Sequence, residues 1–146
     1  MDLFKLRQKL YRLYDIENMN DNRINSLKRM YAIIKEYDLE SLIANGINDN
    51  KELIDKLYDI KKEIDNAIKN ADDFNSKREL MSRLDIILTL IAIVESDNKK
   101  ALSKILITNE LIEEGLLEGN IKDNISKKKE ELERAIIEAK KEYYYI

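Results

Sequence analysis

Histidine, cysteine and proline are absent from this chain of 146 residues, and glycine occurs only 3 times. Each absence excludes something. Without His there is no Ser-His or Cys-His nucleophilic pair, no Glu-x-x-His iron site of the helical-bundle kind, and no imidazole zinc site. Without Cys there is no disulfide framework, no thiolate metal site and no redox thiol, which fits a reducing, cytoplasmic setting. An average chain of this length would contain roughly seven prolines at ~5% usage. With none, and with so little Gly, long helices joined by short connections are expected. The glycines at 46, 115 and 119 match neither G-x-G-x-x-G nor G-x-x-x-x-G-K-[ST], so there is no phosphate-cradling loop. The segments "DNRIN" and "NDNKE" lack the Gly and the spaced Glu of an EF-hand loop. No cofactor is expected.

What the chain does contain is apolar residues at 44% and charged residues at 38%. The apolar share is that of a globular protein, and the charged share exceeds the usual quarter. The length suffices for one domain with a real core, so 1–146 reads as a single α-helical domain. The start "MDLFKLRQKL" has no long apolar core and is not expected to be a signal peptide.

The apolar spacing is helical almost throughout. Leu3, Leu6, Leu10 and Leu13 step by 3 and 4, as do Ile24, Leu27, Tyr31 and Ile34. Leu53, Leu57, Ile60, Ile64, Ala67 and Ala71 form a seam-type stripe. Ile125, Leu132, Ile136, Ala139 and Tyr143 mark another. "KILIT" at 104–108 is β-flavoured but lies inside a helical spacing. Asp49 with Glu52, and Ser76 with Glu79, are capping-box patterns. Asn20 or Asp21, Asp97 and Asn120 are N-cap candidates. Asn45-Gly46 and Gly119 read as helix stops. The expected helices are 2–18, 22–37, 39–44, 50–71, 77–96, 98–116 and 121–144. The fold class is all-α: an antiparallel helical bundle of five or more helices, with a long C-terminal helix.

The most apolar stretch is "RLDIILTLIAIVES", 83–96. Its uncharged core from Ile86 to Val94 is nine residues long, against about 20 for a membrane span. Asp85, Thr89, Ala92 and Ser96 form one narrow polar or small stripe, and the rest of the circumference is apolar. Such a helix is expected to lie centrally in the bundle, with an apolar face at a subunit interface as the alternative.

Two catalytic or binding patterns stand beside this architecture. Glu110 with Glu113, and Glu130 with Glu133, place carboxylates at i, i+3 on two helices, a spacing that can hold Mg²⁺. The pattern resembles the E-x-x-E … E-x-x-D of all-α nucleoside triphosphate pyrophosphohydrolases, with Glu133 where that family has Asp. The resemblance covers these four residues and implies a Mg²⁺-dependent nucleotide hydrolase. The bland reading is a solvated face with pairs such as Glu130–Arg134. Second, residues 1–35 carry 8 Lys/Arg against 4 Asp/Glu, a net of +4, interleaved with aromatics. That allows a nucleic-acid surface. But the whole chain is at −3 with pI near 5.2, and residues 36–98 carry 8 against 15, a net of −7. A basic hairpin docked on an acidic middle is the simpler reading, with Tyr11, Tyr14 and Tyr31 at the core or its edge.

The chain ends "KKEYYYI". Successive helical residues are rotated by about 100°, so Tyr143, Tyr144 and Tyr145 cannot all face one core. Together with Ile146 they are the candidate interaction residues. The favoured function is non-enzymatic: a protein–protein interaction, structural or adaptor protein, a homo-oligomer or a subunit of a larger assembly, of a size and composition that suit a viral or mobile-element protein. The alternatives are the nucleotide hydrolase and a nucleic-acid-associated protein using the basic N-terminal helices.

Overall fold

A computed structural model describes residues 2–144. Among these residues there are seven α-helices and no strand. They are α1 (Leu3–Glu17), α2 (Asp21–Glu36), α3 (Glu40–Gly46), α4 (Lys51–Asn70), α5 (Phe74–Glu95), α6 (Lys99–Glu113) and α7 (Ile121–Tyr144). The "KILIT" run is helical, within α6. At 1.5 Å per residue, α7 is about 36 Å long.

Local chemistry sets most of the ends. Asp2 accepts from Phe4 N at 3.0 Å, Asn20 from Arg23 N at 2.9 Å, and Asn120 from Asp123 N at 3.1 Å. Each ties down an amide that the first helical turn leaves without a partner. Three expectations are corrected. The start of α5 is capped by Asp73, which accepts from Asn75 N, and Ser76 Oγ merely donates to Asp73 Oδ2; the helix therefore begins three residues before 77. The cap of α6 is Asn98, which accepts from Ala101 N at 3.0 Å, and not Asp97. Asp97 instead adopts φ 54° just past the end of α5, where Asn98 N reaches back to Ile93 O and Asp97 N to Val94 O, the paired bonds of a Schellman turn. The same pair of bonds ends α6 at Gly115 (φ 93°), so that Gly, rather than Gly119, is the stop for this helix. Gly46 ends α3 without a positive φ, for a packing reason given below.

The chain divides into two compact units, Met1–Arg29 with Ile107–Ile146, and Met30–Leu106. In the first, α1 packs on α7. Glu17 of α1 meets Lys129 of α7, and Tyr14 meets Glu133. A lower number on α1 goes with a higher number on α7, so the pair is antiparallel. Its core holds Leu6, Leu13, Ile16, Ile125, Leu132 and Ile136, with Ile24, Leu111 and Leu116.

In the second unit α4 packs on both α3 and α5. Asn50, at the start of α4, donates to Val94 O near the end of α5 at 3.3 Å, and only the short 71–73 link joins the end of α4 to the start of α5, so α4 and α5 are antiparallel too. The seam-type stripe read from the sequence is the buried face of α4: Leu53, Leu57, Ile60 and Ile64 are each at most 2% exposed. Against it lie Ile87, Leu90, Ile91 and Val94 of α5, with Ile34, Leu39, Ile43 and Leu102 in the same cluster. Burying a side chain of this size contributes about 1.5–3 kcal/mol.

Candidate functional site

The four glutamates of the pyrophosphohydrolase-like pattern do not converge on one point. Glu110 faces α1, 3.4 Å from Lys5 Nζ and 3.2 Å from Lys9 Nζ. Glu130 pairs with Arg134 at 3.6 Å on an exposed turn of α7. Glu133 accepts from Tyr14 OH at 3.5 Å. Among the described residues no group of three or more Asp, Glu, His or Cys is placed to hold a metal ion.

Lys5, Lys9 and Arg12 of α1 are drawn into ion pairs. Lys9 Nζ lies 2.9 Å from Glu114 as well as 3.2 Å from Glu110, and Glu114 also pairs with Lys128 of α7. Burial pushes the Glu114 carboxyl up, but the hydrogen bonds from Lys128 and Lys9 outweigh it and hold it below the usual carboxylate range. Glu110 and Glu114 lie outside the acidic segment 36–98, so the α1 lysines find their partners in the C-terminal third. Arg12 Nε donates to the buried Thr108 hydroxyl at 2.8 Å. Tyr11 and Tyr14 are not core residues: they are 63% and 43% exposed. They follow Leu10, half-buried, and Leu13, buried, by one residue each, which rotates them about 100° off that row. Tyr14 carries Lys129 Nζ over its ring at 4.8 Å, a cation–π contact.

The backbone of Tyr143 and Tyr144 closes α7. Their side chains, with all of Tyr145 and Ile146, lie outside the described residues.

The feature that sequence reasoning missed is on α5. The narrow stripe of Asp85, Thr89, Ala92 and Ser96 is exposed, and Thr89 Oγ1 turns back to donate to Asp85 O at 2.8 Å. Beside it the apolar surface is also uncovered. Phe74 is 75% exposed, Met81 57% and Leu88 40%. These three are spaced by seven, so they align along one side of the helix over about 21 Å, with a drift of about 20° per heptad. A hollow of about 510 Å³ opens there, lined by Phe74, Lys77, Arg78, Met81, Ser82 and Asp85. The opposite side of α5 is closed by the α4 core, and its flank by Arg83, which reaches Glu36 at 2.6 Å and Glu79 at 3.4 Å. Lys77, Arg78 and Asp85 make no ion pair among the described residues. The seven-residue spacing was legible in the sequence. It was obscured because the expected helix started at 77, which left Phe74 outside, and because Leu88 sits within an apolar run.

A smaller cavity of about 180 Å³ adjoins the turn after α6, lined by Glu114, Asn124, Lys127, Lys128 and Glu131 among others. Most of its polar groups are already engaged: Asn124 Nδ2 donates to Leu116 O at 2.9 Å, and Lys128 pairs with Glu114 and Glu131.

No family model matches the chain, and comparison with curated proteins and with solved structures finds no match. No helix among the described residues is long and apolar enough to cross a membrane.

Proposed function

We propose that this chain is a non-catalytic protein–protein interaction module, a structural or adaptor protein that works by self-association or as a subunit of a larger assembly. The observation that supports the reading is the uncovered Phe74–Met81–Leu88 row on α5. Apolar side chains exposed singly are ordinary. Aligned at heptad spacing, they form the kind of stripe that a second helix covers. The candidate tail residues Tyr143, Tyr144, Tyr145 and Ile146 are a second proposed contact. A cytoplasmic setting belongs to the same proposal.

The test is a photo-crosslinking residue, p-benzoylphenylalanine, in place of Met81 in the full chain within the producing cell, with the same residue in place of the exposed Lys62 of α4 as control. A discrete protein adduct at 81 that is absent at 62 is the expected result. No adduct at 81, or the same adducts at both positions, ends the reading.

A further inference from the structure

We infer that the partner covering the α5 row is a second copy of the same row, laid against it antiparallel. The inference rests on the interaction reading above and goes further by identifying the occupant. It comes from the order of charges along the row. Arg78 and Asp85 are themselves seven residues apart, and with Ala92 they run beside Phe74, Met81 and Leu88 in steps of 4 and 3. The exposed face of α5 therefore reads Phe74, Arg78, Met81, Asp85, Leu88, Ala92. That is a two-position seam in which one position is apolar throughout and the other carries a cation, then an anion, then a small residue.

A face of this kind can meet its own copy in two orientations. In a parallel pair Arg78 faces Arg78 and Asp85 faces Asp85, with both like-charge contacts beside desolvated apolar side chains. In an antiparallel pair about a two-fold axis near Met81 and Ser82, each Arg78 comes within one helical turn of the other copy's Asp85, with Lys77 beside it. Phe74 of each copy then lies toward the Leu88 end of the other. A two-fold contact is self-complementary in this way by necessity, and the unpaired charges along the hollow are complementary only in this direction. About that axis residue 74 of one copy faces residue 89 of the other, so the two α5 helices overlap over about 22 Å. A single helix pair of that length is at the small end of specific interfaces, which bury about 1,200–2,000 Å² in all. The pair accordingly forms in the micromolar range or weaker.

The experiment is sedimentation equilibrium of the full chain from about ten micromolar to one millimolar, with circular dichroism on every variant to establish folding. The wild type is expected to dimerise and Met81→Glu to stay monomeric at unchanged helicity. Arg78→Asp and Asp85→Arg should each weaken self-association about tenfold or more, because each places like charges across the axis. Mixed one to one, these two variants should form a heterodimer, since one copy then presents two carboxylates along the seam and the other two guanidiniums. The double variant Arg78→Asp/Asp85→Arg should regain the homodimer. A monomeric wild type at one millimolar overturns the inference, as does a dimer indifferent to Met81→Glu. Single charge variants that pair as well as wild type, or a mixture that fails to associate, overturn the antiparallel arrangement. The outcome is separable from that of the broader reading. A crosslink at position 81 to a mass other than twice 17.2 kDa keeps the interaction function and removes the second copy, whereas no crosslink at all removes both.

Discussion

Gly46 sits against Leu53: a Cβ placed on Gly46 would stand 2.9 Å from Leu53 Cδ2. Gly46 is buried at the end of α3, and Leu53, 1% exposed, belongs to the inward face of α4. The glycine leaves room for the Leu53 side chain, and its backbone needs no left-handed conformation.

Gly46→Ala should therefore destabilise by about 1–3 kcal/mol, the usual cost of forcing an extra methyl into a packed core, although alanine is the better helix former. Adding Leu53→Val, which shortens the opposing side chain, should recover part of that loss. Urea denaturation of the two variants checks both. An alanine that leaves the midpoint unchanged would mean that Leu53 turns aside freely.

The Glu114 carboxylate, held low by Lys128 and Lys9, gives acid sensitivity. Its folded pKa lies below its ordinary 4.5, so its contribution is complete above about that pH and is lost as pH falls through the depressed folded value. Stability should decline below pH 4.5 with a component that Glu114→Gln removes. The comparison is of urea midpoints at about pH 7 and about pH 3 for both chains. Parallel acid profiles would assign the decline to other carboxylates.

On α5 the two faces should respond oppositely. Ile91→Asp and Ile87→Asp put an unpaired charge into the core at several kcal/mol, against total stabilities of about 5–15 kcal/mol, and should leave little folded protein. Thr89→Ala removes an exposed hydroxyl whose bond runs only to its own helix and should change stability by less than about 0.5 kcal/mol. Thermal melts by circular dichroism decide it, and an alanine as damaging as the aspartates would reverse the assignment of the buried face.

Asn109 is 2% exposed and its Nδ2 has no hydrogen-bond partner among the described residues. A buried amide left unpaired costs about 1–3 kcal/mol, so Asn109→Leu, similar in volume, should raise the melting temperature. A fall would show that the amide is engaged in the folded protein.

Truncation after Glu142 tests the tyrosine tail. If the tail joins chains, helicity is kept and light scattering shows a smaller species. Each buried aromatic is worth roughly 1.5–3 kcal/mol, and every ~1.4 kcal/mol is tenfold in affinity. Loss of helicity at unchanged particle mass would assign the tail to the fold of one chain.

Much of this architecture was determined by the sequence alone. Helix formation is local and repeats about every 3.6 residues, so rows such as Leu53, Leu57, Ile60 and Ile64 expose their geometry directly. Capping is local as well, and Asn20 and Asn120 cap as their types suggest. The Glu130–Arg134 pair needs only one turn of one helix. Other features needed neighbours that no local pattern specifies. Tyr11 and Tyr14 lie beside an apolar row, and only the packing of α1 on α7 leaves them outside it. The closeness of Gly46 to Leu53 depends on how α3 meets α4. The dispersal of Glu110 and Glu130 depends on which way α6 and α7 turn. On α5 nearly the whole circumference is apolar, and periodicity cannot say which part is covered. Burial is decided by the atoms of other helices, and among the described residues these leave Phe74, Met81 and Leu88 exposed.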